Sequence, residues 1–234
     1  MRRPAALITG AAKGIGRQIA LTLAEKGYDV AVNYHTDQNA AEEVCREAES
    51  FGGRALAVYA DMSRIKDIKD MYSQADQAFE GIDLVVNNAG ISSEVYFLEA
   101  EEADFDRMTA IDWKGLFFSS QEAAKRMIGR GTKGVIINIS SNQVDGCWPR
   151  AAIYGPTKAA VSKFTRNAAM ELAGYGIRMA AVAPGYTDVG WAPDDIRWEA
   201  AARLPFGRFA STREIAEAVA YLASPQAAYI TGTT

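Results

Sequence analysis

The sequence predicts a doubly wound α/β fold, in which a parallel sheet of six to seven strands carries helices on both faces. Six short apolar runs of strand length alternate with five segments that have apolar residues at helical spacing. Strict alternation of strand and helix implies parallel pairing through right-handed crossovers. The predicted strands are 5–9, 29–34, 54–59, 82–86, 135–139 and 177–182, and the predicted helices are 15–26, 38–50, 64–79, 104–128 and 155–173.

A single domain spanning 1–234 accounts for the whole chain. The length of 234 residues and the hydrophobic content of 49% are sufficient for one packed core. The sequence contains no internal repeat, low-complexity segment or linker rich in Pro, Gly or Ser. Residues 230–234 read as a turn leading into a further strand, so part of an edge strand is expected to be missing.

Composition argues against several classes of partner. The formal net charge is −4, and the 25 basic residues are scattered, so we expect no binding to nucleic acid or to a membrane surface. A single histidine, His35, argues against a His-rich metal site, and no metal is predicted. Cys45 and Cys147 form no CxxC pair and suit a reducing compartment. Without a spanning apolar run or a signal peptide, we expect a cytoplasmic protein that acts on a small molecule.

A phosphate-binding loop follows the first predicted strand. Gly10, Gly14 and Gly16 lie within residues 9–16, directly before a helical pattern. Glycines allow the backbone to approach a ligand closely, and the N–H groups at a helix N-terminus attract a pyrophosphate. The GxxxGxG spacing, with Ile15 between the last two glycines, therefore predicts dinucleotide binding.

The end of the second predicted strand favours NADP(H) over NAD(H). An Asp or Glu at this place would hydrogen-bond the adenine ribose and repel a 2′-phosphate, but the sequence has Asn33, Tyr34 and His35. Asp37 lies two residues further on, so NAD(H) stays open as the alternative. Lys13 of the glycine loop could offer its ammonium to the phosphate, or it could simply be solvated.

A tyrosine and a lysine are spaced for catalysis. Tyr154 and Lys158 lie four residues apart, hence on one helix face, and Pro156 places the helix start near Tyr154. A phenol is a poor base at neutral pH, and a nearby ammonium favours the phenolate. Ser141 follows the fifth predicted strand and could hydrogen-bond the substrate oxygen, whereas Ser140 is expected to be structural.

These motifs together resemble the classical short-chain dehydrogenase/reductase family, from Ala5 to Thr234. The resemblance implies a Rossmann fold in which the tyrosine exchanges a proton with the substrate oxygen, the serine positions that oxygen and the lysine holds the nicotinamide ribose. A lysine in the glycine loop is a mark of NADP-preferring members. Further cofactor contacts implied by the resemblance are Asp61 and Met62 at the adenine, Asn88, Ala89 and Gly90 along the cleft, and Pro184, Gly185 and Thr187 at the nicotinamide.

Two positions depart from the family pattern. Asp112 stands where the family usually has an asparagine of the proton relay. An aspartate can hold the same water, but its charge near Lys158 should oppose phenolate formation and shift the pH optimum or reduce activity. A solvated acid is the alternative interpretation. Val189 stands where a threonine is usual, and Thr187 is a candidate to replace that threonine.

Substrate choice is expected to depend on a lid around 186–209, by resemblance to the family. Its aromatic residues would form an apolar pocket wall or pack onto the core. The sequence is most like 3-oxoacyl-acyl-carrier-protein reductases, and residues 32–34 also resemble the glucose dehydrogenases of the family. A catalytically silent NADP sensor or scaffold is a further alternative. Family members usually form homotetramers or dimers through helices equivalent to 104–128 and 155–173. The lid residues singled out are Tyr186, Trp191, Trp198, Leu204 and Phe206.

Overall fold

The described residues of the computed structural model, 2–92, 95–190 and 201–234, contain a six-stranded sheet with helices on both faces. Every pairing in this sheet is parallel, and the strand order is β3-β2-β1-β4-β5-β6. The strands are β1 (Ala5–Ile8), β2 (Asp29–Tyr34), β3 (Ala55–Tyr59), β4 (Leu84–Asn87), β5 (Val135–Ile139) and β6 (Arg178–Val182). The predicted fold class is confirmed.

The helices divide between the two faces of the sheet. One core cluster joins α1, α2 and α7 to the strands, and another joins α3, α5 and α6 to the opposite face. Both faces of the central strands are therefore buried, which explains their continuous apolar runs. The helices are α1 (Gly14–Glu25), α2 (Gln38–Glu49), α3 (Ile65–Phe79), α4 (Glu102–Met108), α5 (Leu116–Arg130), α6 (Tyr154–Leu172) and α7 (Thr212–Ala223).

The long helix predicted over 104–128 is interrupted. Between α4 and α5 the backbone forms a π-helix over Thr109–Gly115. Gly115 packs against the chain after β3, where an added Cβ would come within 2.2 Å of the Met62 carbonyl oxygen. Hydrophobic periodicity does not distinguish π from α turns, so the sequence pattern could not show this segment.

Helix α7 was not predicted from the sequence, although a signal for it is present. Ser211 precedes the helix and Glu214 follows three residues later. Their side chains bond each other's backbone N–H groups in a capping box. This Ser-x-x-Glu pattern is a recognised helix start.

The strand order indicates where a ligand is expected to bind. The order reverses between β1 and β4, and in open parallel sheets ligands bind outside the carboxyl ends of the strands at such a reversal. A short parallel pair of β7 (Thr187–Asp188) and β8 (Ala210–Ser211) ties together the two ends of the segment between them. Beyond α7, Gly232 and Thr233 hydrogen-bond β6 through their backbones.

Candidate active site and cofactor cleft

The glycine loop between β1 and α1 has the geometry of a phosphate cradle. Gly10 and Gly14 have φ angles of +62° and +59°, which L side chains rarely adopt. A Cβ on Gly16 would lie 2.5 Å from the side-chain Nδ2 of Asn88, so only glycine fits there. No side chain caps the first N–H groups of α1, and its first turn carries no acid. These donors suit a pyrophosphate.

Thr9 and Asn88 hold this loop in place. The buried Thr9 Oγ1 accepts the backbone N–H groups of Asn88 and Ala89, both at 2.9 Å. In return, the Asn88 Nδ2 donates to the carbonyl oxygens of Thr9 and Gly10 at 2.9 and 3.1 Å. The side chain of Asn88, which the sequence predicted along the cofactor cleft, thus joins β4 to the glycine loop.

Asn33 is placed differently from the predicted cofactor contact. Its side chain is buried, and its Oδ1 accepts the Gly10 N–H at 3.0 Å. Its Nδ2 donates to carbonyl oxygens of Tyr34, Val58 and Ala60. Because both ends of the amide bond the protein's own backbone, the Asn33 side chain supports the glycine loop, and its contact with the cofactor stays a prediction.

The surface beyond β2 carries charges of both signs. Lys13 and His35 are exposed, and the His35 Nε2 lies 3.9 Å from Asp61 Oδ2. Burial opposes ionisation of Asp61, but hydrogen bonds from Ser63 hold its pKa below the usual range. Asp37 caps α2, where its Oδ1 accepts the Ala40 N–H. Asp37 is therefore engaged in a local structural contact.

Ser141, Tyr154 and Lys158 come together at the carboxyl end of β5. Helix α6 begins at Tyr154, as the position of Pro156 predicted. The Lys158 ammonium lies 5.5 Å from the centroid of the Tyr154 ring, so the two side chains share one face of the helix. Lys158 also donates to the Ile139 carbonyl oxygen at 3.3 Å, which ties it to β5.

The hydroxyl of Ser141 has capacity left for a ligand. Its oxygen accepts the Gln143 N–H at 3.2 Å, and its 3.5 Å contact with Asn142 Oδ1 is long for a hydroxyl donor. Ser140 behaves differently, because its Oγ donates to the Lys158 carbonyl oxygen and contacts Ser162. Ser140 therefore anchors α6 to the sheet.

Asp112 joins this cluster from the π-helical segment. It is fully buried, and its Oδ2 lies 3.2 Å from the Lys158 ammonium. Its Oδ1 accepts the Ile91 N–H at 2.8 Å. Burial raises the pKa of Asp112, and Lys158 and the Ile91 N–H oppose this rise. The interpretation of Asp112 as a solvated helix residue is wrong, because its carboxylate is buried in an ion pair.

The remaining predicted cofactor residues differ in their packing. Gly90 has no room for a side chain, since a Cβ would lie 2.9 Å from Asp112 Oδ2. The Thr187 hydroxyl donates to the Gly185 carbonyl oxygen at 3.1 Å. Val189 extends over the glycine loop, 3.6 Å from the place of a Cβ on Gly14. Tyr34 and Pro184 are half-buried, Met62 is buried, and Trp191 and Trp198 lie outside the described residues.

A buried polar network beneath the site was not predicted from the sequence. The Asn87 Nδ2 donates to Ser120 Oγ and Asn138 Oδ1, both at 2.9 Å. Ser119 donates to Asn87 Oδ1, and Asn138 donates to Thr165 on α6. The network connects β4, β5, α5 and α6. Polar residues at inward positions of two neighbouring strands were the available signal.

Comparison with known proteins supports one family. The family model described as Enoyl-(Acyl carrier protein) reductase matches residues 10–234. The 3-oxoacyl-[acyl-carrier-protein] reductase FabG of Staphylococcus epidermidis is 40% identical over 232 residues, 98% of this chain and 95% of that protein. The chain belongs to the short-chain dehydrogenase/reductase family.

Other members of the short-chain dehydrogenase/reductase family show a spread of substrates. The 3beta-hydroxysteroid dehydrogenase 1 of Eggerthella lenta is 34% identical, across 97% of this chain and 89% of that protein. The crystal structure of an acetoin dehydrogenase from Salmonella typhimurium superposes with a TM-score of 0.91 at 33% identity, covering 99% of this chain and 92% of that one.

Family membership and fold make the chain an NAD(P)-dependent oxidoreductase that acts on a small molecule. The predicted family and enzyme class are thus confirmed. In the part of the chain that the structure describes, no helix is both long and apolar enough to cross a bilayer.

Proposed function

We propose that the chain is an NADP(H)-dependent reductase of carbonyl compounds, most similar in its reaction to 3-oxoacyl-acyl-carrier-protein reductases. The observation that carries this proposal is the placement of the Lys158 ammonium 5.5 Å from the Tyr154 ring, at the start of α6. Ser141 lies on the adjoining end of β5. A phenol and a hydroxyl at one end of the sheet supply the proton donor and the hydrogen-bond donor that a carbonyl oxygen requires.

Each side chain has a distinct task in this reaction. Ser141 hydrogen-bonds the substrate oxygen and orients it, and Tyr154 gives its proton to that oxygen as the carbonyl is reduced. In the reverse direction the Tyr154 phenolate accepts the proton of the alcohol. A bound nicotinamide supplies or accepts the hydride. Lys158 holds its ammonium beside the phenol, and Asp112 occupies the relay position next to Lys158.

The preference for NADP(H) is supported by charge placement. Lys13 is exposed at the start of α1, and His35 is exposed beyond β2. Asp37, which lies two residues beyond His35, caps α2 with its carboxylate. Replacing Lys13 by Ala should weaken NADPH binding about tenfold, equivalent to roughly 1.4 kcal/mol, and leave NADH binding nearly unchanged. Equal weakening of both cofactors, measured by fluorescence titration, would contradict this preference.

The proposed substrate is a 3-oxoacyl thioester, by analogy with the relative from Staphylococcus epidermidis. A lid over residues 186–209 would enclose the acyl chain. Two contacts hold the two ends of this segment next to each other. These contacts are the β7–β8 pair and the stacked rings of Tyr186 and Phe209, whose centroids are 5.2 Å apart. The alternative within the family is a sugar dehydrogenase. Rates with thioesters, sugars, steroids and simple ketones, followed at the nicotinamide absorbance band, discriminate between them.

The catalytic assignment is tested by Tyr154→Phe. This change removes one hydroxyl, so we expect loss of turnover by at least about a hundredfold with nearly unchanged NADPH affinity. Tyr175→Phe is the matched control, because Tyr175 is exposed beyond the far end of α6. Retained activity of Tyr154→Phe would refute the mechanism.

A catalytically silent NADP sensor or scaffold is the second candidate. Asp112 and Val189 motivate it, since both depart from the family pattern. The sensor predicts tight NADPH binding without turnover of any carbonyl or alcohol in the panel. Ser141, Tyr154 and Lys158 favour the enzyme.

The proposal includes a homodimer or homotetramer in the cytoplasm. A groove of about 550 Å³ lies between α5 and α6, the helices predicted to form the subunit contact. In this groove the ring centroids of Phe117 and Phe164 lie 5.1 Å apart, and the Trp113 ring packs on both rings. An apolar groove of this kind suits a second subunit. Light scattering at several concentrations measures the assembly.

A further inference from the structure

Asp112 and Lys158 form an ion pair that is almost completely buried beside Tyr154. The exposed fractions of the two residues are 0% and 3%. The ammonium that lies 5.5 Å from the Tyr154 ring centroid is also 3.2 Å from the Asp112 carboxylate. Buried charges are screened little by solvent. The carboxylate therefore acts on the same phenol as the ammonium, with the opposite sign.

Among the residues that the structure describes, Lys158 is the charged partner of Asp112. From the loop after β4, the Ile91 N–H binds Oδ1. From α6, the Lys158 ammonium faces Oδ2, which accepts no well-aligned hydrogen bond from a described residue. Burial opposes ionisation of Asp112 and raises its pKa, while Lys158 and the Ile91 N–H favour the carboxylate. A Cβ on Gly90 would contact both partners, so the chain leaves space for this pair.

We propose that the Asp112 carboxylate counteracts the Lys158 ammonium at Tyr154, so that the phenolate forms at a higher pH than it would beside the ammonium alone. This inference rests on the proposed function. An isolated ammonium would favour the phenolate. Paired with a carboxylate, the same ammonium belongs to a group of zero net charge, and its effect on the phenol is largely cancelled.

The proton balance shows which form of Tyr154 each direction of the reaction requires. In reduction the O–H bond of Tyr154 breaks, a new O–H bond forms on the substrate oxygen, and the phenolate recovers a proton from solvent. Oxidation begins from the phenolate and needs the reverse transfers. At any one pH the reaction equilibrium fixes the ratio of kcat/KM for the two directions. Asp112 therefore moves the pH profiles of both directions together toward higher pH.

The test is a titration of the phenol in the protein without cofactor. Phenolate absorbance is measured against pH for the parent and Asp112→Asn, each with and without Tyr154→Phe. The difference isolates Tyr154 among the 10 tyrosines. In Asp112→Asn the Tyr154 phenolate should appear about one pH unit lower than in the parent, because a buried charge has been removed. An unchanged midpoint overturns the proposal.

Two further variants make the result specific. Asp106→Asn removes an exposed carboxylate on α4 and should leave the phenol midpoint unchanged. Asp112→Ser is a second neutral variant at the ion pair and should show the same downward shift as Asp112→Asn. Thermal melts of all variants identify any that fails to fold. A shift in Asp106→Asn as large as that in Asp112→Asn would overturn the assignment to the buried pair.

Rate profiles separate this inference from the proposed function. With a substrate found in the panel, kcat/KM is measured against pH in both directions. In Asp112→Asn the pH profiles of reduction and of oxidation should move to lower pH by the same amount. Turnover in the parent with an unshifted phenol titration overturns the role of Asp112 alone. Absence of turnover with every substrate overturns the proposed function, while the titration still decides whether Asp112 controls the phenol.

Discussion

Thr9→Val tests whether one hydroxyl oxygen holds the glycine loop against β4. Thr9 Oγ1 accepts two backbone N–H groups, from Asn88 and Ala89, and Thr9 is 1% exposed. Valine keeps the shape of threonine but offers no acceptor. Each N–H left without a partner costs about 1–3 kcal/mol. Because Asn88 and Ala89 are only half-buried, water can hydrogen-bond the freed N–H groups and offset part of this cost. We therefore expect a loss of about 2–4 kcal/mol in the free energy of unfolding.

Chemical denaturation at constant pH measures this loss, and the melting temperature should fall by roughly 4–16 °C for a chain of this length. The affinity for NADPH should fall as well. Thr9 holds the backbone of Asn88, and the side chain of Asn88 in turn donates to the Gly10 carbonyl oxygen in the glycine loop. Thr9→Ser is the matched control. It keeps the acceptor and loses one methyl group, which costs about 1 kcal/mol. A Thr9→Val protein as stable as Thr9→Ser would refute the reasoning.

Four further predictions concern other parts of the chain. Gly90→Ala should abolish turnover and destabilise the fold, since the added methyl group meets the buried ion pair; activity and melting curves of this variant check it. A thiol reagent should label one cysteine, the exposed Cys147, in the folded protein, because burial raises the pKa of Cys45 to about 12; labelling of both without denaturant would contradict this. Ser211→Ala should cost about 1 kcal/mol in denaturation experiments by removing a helix cap. Its partner Glu214 has a pKa lowered to about 2 by Arg208 and Ser211, so its stabilisation is present above the ordinary pKa and should be lost as pH falls toward 2; a flat acid limb would contradict this.

Several features could be predicted because they depend on local pattern. Alternating apolar runs imply a parallel sheet, and Pro156 in a first helical turn places the start of α6 at Tyr154. A spacing of four residues puts Tyr154 and Lys158 on one face of that helix. These inferences need only the periods of helices and strands, which is why the structure agrees with them.

Other features depended on contacts between distant segments. The sequence could not show that Asn33 turns under the glycine loop, because that contact joins two strand ends 23 residues apart. The cap of α2 by Asp37 is different, because it is a local contact with the Ala40 N–H, and an Asp directly before a predicted helix is a recognised cap signal. Polar side chains beside a motif have several partners within reach, and packing selects among them.

Sequence alone determined the family, the alternation of the six strands with helices, and the side chains available for proton transfer, since these follow from spacing along the chain. Tertiary structure decided the electrostatic setting of Tyr154. A π-helical turn brings Asp112 within 3.2 Å of Lys158, although 46 positions separate them in the chain (158 minus 112). Because the low dielectric of the interior leaves charges poorly screened, the buried Asp112 carboxylate acts strongly on its neighbours.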